Sequence, residues 1–172
     1  PTISHLRDTT GAGKMNLKND WFMGFADQNP QLRVSHPILG PDGWIYCANG
    51  LRGGSVRWVF GGKKDWPTVN LSGLDFRFDP VNPSSRYEAS TGPGQYGNTF
   101  DAWGNRFICD NRHHLRHVVL ENRYVKRNPY LAAPALGADI SVLEDGPLSS
   151  GGKIYPLSKN WTTSSLHEGR FT

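Results

Sequence analysis

The chain has 172 residues, a formal net charge of +4, and 37% apolar and 12% aromatic content. That size suits one ordinary domain, and that apolar content excludes a disordered chain. No run of about 18 apolar residues exists, which excludes a membrane-spanning helix, while 20 glycines and 12 prolines favour strands joined by turns over long helices.

The chain starts at Pro1 and stops at "HEGRFT" in mid-pattern, so it reads as a piece of a longer protein. Residues 1–30 read as an irregular lead-in. Within it, "NDWFMGFA" (19–26) is predicted as two turns of helix behind an Asn19 or Asp20 N-cap. Residues 31–172 read as repeats of a sheet-forming unit.

Two phrases carry the repeat: "GPDGWIYCANG" (40–50) and "DAWGNRFICDN" (101–111). Each is an apolar approach, a two-residue turn pair, a short strand and an Asn. Aligned on Cys47 and Cys109, Asp42-Gly43 falls on Gly104-Asn105, and both pairs suit hairpin turns. "GGKKDWP" (61–67) follows as a polar turn. "FRFDPVNPSSRYEASTG" (76–92) is a looser third copy, with a longer turn opened by Asp79-Pro80 and a return strand from Tyr87. "HVVL" (117–120), "ENR" and "YV" suggest a further hairpin. "LAAPALGA" (131–138) is broken by Pro134 and reads as a loop. "DISVLEDG" (139–146) and "GKIYPLS" (152–158) close the series.

The sum is about ten short strands, mostly antiparallel neighbours, in a recurring unit. An all-β propeller satisfies that pattern, because radial packing buries both faces of each four-stranded blade. Ten strands make about two to three blades where propellers need roughly four to eight. The chain is therefore expected as an open arc. A β-sandwich is the alternative, since regularly spaced short strands permit it too.

Residues 106–127 hold Arg106, Arg112, Arg116, Arg123, Lys126 and Arg127 with three histidines, against Asp110 and Glu121. This is either a solvated face or a site for an anionic ligand. No nucleic-acid motif accompanies it. Cys47 and Cys109 sit in apolar strands and read as free buried thiols; C-x-x-C chemistry is absent.

"PILGPDGWIYCANGLRGG", "LDFRFDP", "GQYGNTFDAWGNRFICDNRHHLRHVVLENRYVKRNPY" and "HEGRFT" together resemble the membrane-bound dehydrogenase domain of planctomycete and verrucomicrobial proteins. That domain is similar to the soluble quinoprotein glucose/sorbosone dehydrogenases. The likeness covers most of residues 20–172 and is most specific over 94–130. It implies a fragment of a six-bladed β-propeller, exported, periplasmic or membrane-associated, that oxidises a sugar or other alcohol. It also implies pyrroloquinoline quinone and calcium as cofactors and a cytochrome c acceptor.

Such an enzyme needs a base for the hydroxyl proton, cations for the quinone, and oxygen ligands for calcium. "CDNRHHLRH" (109–117) offers base and cations at a strand end. His114 is the preferred base and His117 the second, because imidazole titrates near ~6.5. Arg112 is the candidate anion clamp, helped by Arg77; Asn111 either fixes the turn or holds the ligand, and Arg52 projects toward the same mouth as Arg112. Asp101 and Asp110 are the candidate calcium ligands. The plainer reading of Asp42, Asp79 and Asp101 is that each caps a turn. His113 and His117 are four apart, as zinc ligands on a helix would be, but "HVVL" favours a strand. Trp44, Trp58, Trp103 and Trp161 read as packing residues before sugar platforms.

Two other functions stand beside the enzyme: a non-catalytic propeller that binds carbohydrate or a protein partner, and a scaffold between electron-transfer modules. Convergence of Arg77, Arg112 and His114 on one concave surface favours the enzyme. On the enzyme reading the isolated piece is expected to be inactive, because an open arc cannot enclose a cofactor.

Overall fold

The computed structural model describes residues 1–62, 65–111, 113–128, 130, 132 and 134–140. It is all-β: three four-stranded antiparallel sheets, none closed into a barrel. The first sheet is built from β1 (Thr2–Arg7), β2 (Leu17–Phe25), β5 (Gly54–Trp58) and β6 (Val69–Asn70), in that order. The second holds β3 (Ser35–Leu39), β4 (Ile45–Ala48), β7 (Leu74–Phe78) and β8 (Tyr87–Thr91). The third holds β9 (Gly97–Phe100), β10 (Arg106–Cys109), β11 (Arg116–Val118) and β12 (Gly137–Asp139).

The first two sheets are interleaved along the chain. After β1 and β2 the chain lays down β3 and β4 in the second sheet. It then returns to add β5 and β6 to the first, and crosses again for β7 and β8. The third sheet is a simple meander.

The expected helix at 19–26 is strand β2 instead, and the lead-in of residues 1–30 is regular structure through β1 and β2. Phe22 and Phe25 are both buried, three residues apart. That spacing imitates a helix because the ladder with β5 shifts register between Met23 and Phe25. The step from Arg57 to Gly54 on β5 is one residue longer than the step from Met23 to Phe25, and Gly24 at φ 103° breaks the alternation of β2 between the two rings. The expected return strand at "ENR" and "YV" is the short helix α1 (Asn122–Val125). Its entry is fixed by Thr91 Oγ1, which accepts the Asn122 N–H at 2.7 Å and donates to Leu120 O at 2.8 Å. The antiparallel partner of β11 is β12, which starts at Gly137, inside the stretch expected as a loop at 131–138, and runs on to Asp139. The "GKIYPLS" strand, Trp161 and the closing "HEGRFT" lie outside the described residues.

The repeated phrase forms two equivalent hairpins, but not in the cysteine alignment. Gly40 N–H donates to Trp44 O at 2.7 Å, and Asp101 N–H donates to Asn105 O at 3.0 Å. Gly43 and Gly104 each occupy the left-handed region, at φ 79° and 87°. Gly43 therefore matches Gly104, and Cys47 matches Ile108 rather than Cys109. A one-residue slip moves every side chain to the other face of a sheet. Cys47 is accordingly 1% exposed in the core, whereas Cys109 is only half-buried.

The middle sheet is covered on both sides, which explains why β4 and β7 are buried almost end to end. Cys47, Phe76 and Phe78 face the first sheet and pack with Phe22, Phe25, Val56, Trp58 and Leu71. Phe22 lies 5.0 Å, ring to ring, from both Phe76 and Phe78. The alternate residues Tyr46, Asp75 and Arg77 face the third sheet, and that interface is polar. Phe76 is fully buried, so Phe76→Ala should destabilise the protein by about 3–5 kcal/mol. A urea denaturation midpoint measures it, and a near-neutral result would contradict this core.

Candidate functional site

The contact between the second and third sheets is an ion pair inside a hydrogen-bond network. Arg106 (3% exposed) reaches from β10 to Asp75 (0%) on β7, with Nη2 2.7 Å from Oδ2. Its Nε–H donates to Asn98 Oδ1 at 2.8 Å, and Nη1 donates to Thr91 O at 2.5 Å. Asp75 Oδ1 accepts the backbone N–H groups of Asn49 (2.8 Å) and Gly94 (2.9 Å). Burial pushes the Asp75 carboxyl up, and the Arg106 guanidinium and the two amides oppose it. Asn98 Nδ2 donates to Tyr46 O at 3.0 Å and so ties β9 to β4. Arg106 is thus a structural member of the basic run, not part of a solvated face. Gly92 belongs to the same joint: a Cβ there would lie 2.6 Å from Asp75 Cγ.

Arg77 sits one rung away in a second buried cluster. It pairs across the sheet with Tyr46 and Glu88. Its Nε–H donates to Glu88 Oε1 at 2.9 Å, and Nη2 binds the same oxygen. Nη1 donates to Asp42 Oδ2 at 3.0 Å and to Tyr46 Oη at 2.7 Å. The guanidinium also lies 4.3 Å from the Trp44 ring centroid, which Arg86 approaches to 5.1 Å. Four of its five N–H groups are committed. Arg77 therefore braces the sheet, and Trp44 is held between two arginines.

The His114 cavity opens elsewhere. It has a volume of about 260 Å³ and is lined by His36, Thr99, Phe107, Cys109, His114 and Leu115, among others. Both ring nitrogens of His114 are buried, and neither has a hydrogen-bond partner among the described residues. An imidazole so placed carries an unmet desolvation cost. His117 stacks on Phe107 with ring centroids 5.2 Å apart. By strand alternation Phe107 and His117 share the face of the third sheet that points away from Asp75 and Arg77. The two candidate bases line different cavities: His114 this one, and His117 one that Asp42 and Arg106 also line.

The remaining candidates are dispersed. Arg112 lies outside the described residues. Arg52 is exposed in the loop before β5 and lines neither the His114 cavity nor the Arg77 cluster. The Asn111 N–H donates to Gln95 Oε1 at 3.0 Å. Asp110 accepts the His113 N–H at 2.9 Å, and the His113 ring lies 3.0 Å from its other oxygen. Asp101 caps the β9–β10 turn, accepting from Trp103 N and from Asn105 N and Nδ2 at 2.8–2.9 Å. These bonds, the Asn105 side chain first, hold its carboxyl below the usual carboxylate range. No group of three metal-ligating side chains is assembled among the described residues. Pyrroloquinoline quinone would need free cations for its carboxylates, and calcium would need several converging oxygens. No such oxygen set converges among the described residues, and Arg112, the candidate clamp, lies outside them. Cys47 is a free thiol pushed up to about 12 by burial, so it is chemically inert.

Sequence reasoning missed Asp75 and Asn98. The strand "LDFRF" alternates apolar and charged residues as a half-exposed strand would, and nothing in it signals that the charged face is covered.

Removing one partner of the buried pair leaves the other charge unpaired. Arg106→Met should therefore cost about 3–5 kcal/mol by urea denaturation. The Asp75→Asn/Arg106→Met double variant should lose less than the sum of the single changes. Asp101 gives a pH signature. Its folded-state pKa is depressed, so its contribution is present above the unfolded value and is lost as pH falls through the folded one. Asp101→Ala should lower the melting temperature at pH 7, and the gap should close in acid.

No helix among the described residues is long and apolar enough to cross a membrane. No curated protein and no solved structure matches the chain. One family model matches it over residues 1–172, that of a domain of unknown function, DUF7133. The chain belongs to the DUF7133 family.

Proposed function

We propose that the chain contributes successive blades to a β-propeller of the quinoprotein sugar-dehydrogenase type, in which His114 takes the hydroxyl proton of a sugar or other alcohol. The observation that carries this is the His114 imidazole: it lines a cavity, and both its nitrogens lack partners among the described residues. Oxidation of an alcohol removes a hydroxyl proton and sends a hydride from the carbinol carbon to a two-electron acceptor. A neutral imidazole nitrogen accepts the proton. Phe107, Ile108 and Leu115 supply apolar walls to its cavity.

Sheet equivalence supports the blade reading. The hairpin match places Tyr46 on Phe107 and Arg77 on His117. The face of the second sheet that carries Tyr46 and Arg77 is covered by the third sheet. The face carrying Phe107 and His117 is its counterpart, so a fourth sheet is the expected cover. A quinone acceptor, calcium, a cytochrome c partner and export come with the family resemblance. The described residues assign the quinone and calcium no step.

The binding-module reading has its own observation. Arg77 is spent on Asp42, Glu88 and Tyr46, away from His114, so the cation and the base do not converge.

The test uses the full-length protein with pyrroloquinoline quinone and calcium. Sugar- or alcohol-dependent dye reduction is expected, falling about 100-fold or more in His114→Gln with an unchanged melting temperature. Binding of the same compounds without dye reduction, across a broad panel, would leave the binding module in its place.

A further inference from the structure

A second cavity, of about 360 Å³, lies at the joint between the second and third sheets and matches the size of small-molecule sites. Its charged lining comes from separate elements: Asp42 from the β3–β4 turn, Arg106 from β10, Glu121 before α1, and Arg123 within α1. Two of these charges are already matched. Asp42 is bound by Arg77, and Arg106 by Asp75.

The other two are not. The Arg123 Nε–H is buried and has no acceptor among the described residues. The only carboxylate oxygen within 4 Å of Arg123 among them is Glu88 Oε1, at 3.8 Å, and Arg77 already donates to it twice. Arg123 is held in place by Tyr124, whose hydroxyl accepts from Nη2 at 3.1 Å and whose ring lies 4.8 Å from Cζ. Glu121 Oε2 accepts the Thr91 N–H at 3.1 Å, while Oε1 has no partner among the described residues. Phe100 and Tyr124 supply aromatic walls.

One unmatched cation and one unmatched anion on the same cavity constrain the ligand. A simple anion would face Glu121 and Asp42. A simple cation would face Arg123 and Arg106. A neutral polyol would leave both free charges without counter-charge. A zwitterion satisfies both, with its carboxylate on Arg123 and its ammonium on Glu121. We propose that this cavity binds a small zwitterion of the free α-amino-acid class, independently of His114.

Titration calorimetry on the full-length protein tests it, with the common free amino acids, their N-acetyl and carboxamide forms, and glucose. At least one free amino acid should bind, and each capped form should bind about tenfold or more weakly. Arg123→Gln should erase the discrimination against the carboxamide. Glu121→Gln, which keeps an acceptor for Thr91, should erase the discrimination against the N-acetyl form. Both variants should melt like the parent and retain dye reduction. Binding of no amino acid, equal binding of capped forms, preference for glucose, or discrimination unaffected by both variants would each overturn the proposal. None of those outcomes touches the His114 reading, which the dye assay decides separately.

Discussion

The middle sheet must satisfy opposite neighbours on its two faces, and the Asp75–Arg106 pair is how it meets the harder demand. On one face, Cys47, Phe76 and Phe78 need only apolar surface, which the first sheet provides. On the other, Asp75 is fully buried as a carboxylate, and burial of an unpaired charge costs several kcal/mol. Arg106, the Asn49 and Gly94 amides and the nearby Asn98 bridge together discharge that cost. The pair stabilises little against a well-packed apolar alternative. What it does is specify: only one placement of the third sheet puts the guanidinium on Asp75 and the Asn98 amide on Tyr46 O. The first joint holds by area and the second by geometry.

That difference shapes where cavities form. Aromatic rings at the first joint interlock, with Phe22 touching Phe76, Phe78, Trp58 and Tyr87. At the second joint, directional bonds hold the sheets at fixed points. The end between the β3–β4 turn, the β9–β10 turn and α1 is left open as the polar cavity. A hydrogen-bonded joint can enclose polar space without collapsing, because its contacts do not depend on excluding every gap.

Much of the fold was legible in the sequence: strands separated by turn residues, the paired hairpins, and the longer Asp79 turn. The errors share a cause, which is that local periodicity does not report what a second element contributes. Phe22 and Phe25 looked helical because Gly24, at φ 103° beside a bulge of β5, breaks the two-residue alternation of β2. The cysteine alignment matched a letter where the turn glycines set the register. Arg77 looked available because side-chain pairing across β4, β7 and β8 cannot be read from one strand. Of the site, the histidine loop was legible from its composition. Its cavity was not, because Gly97 and Thr99 reach it from β9 and His36 from β3.

The outward face of the third sheet now sets the functional question in chemical terms. In the second sheet, the equivalent face holds an arginine paired with two carboxylates of the same sheet, Glu88 on β8 and Asp42 in the β3–β4 turn. Such a face arrives at its neighbour already neutralised. The third sheet carries His117 in that place, with Ala138 rather than an acid beside it on β12. Its stacking partner is Phe107, which neutralises nothing. His114, whose ring nitrogens have no partner among the described residues, lies instead on a cavity that β9, β10 and His36 of β3 line together. The two equivalent faces therefore differ in how their polar groups are met: by carboxylates within the second sheet, and by ring stacking in the third.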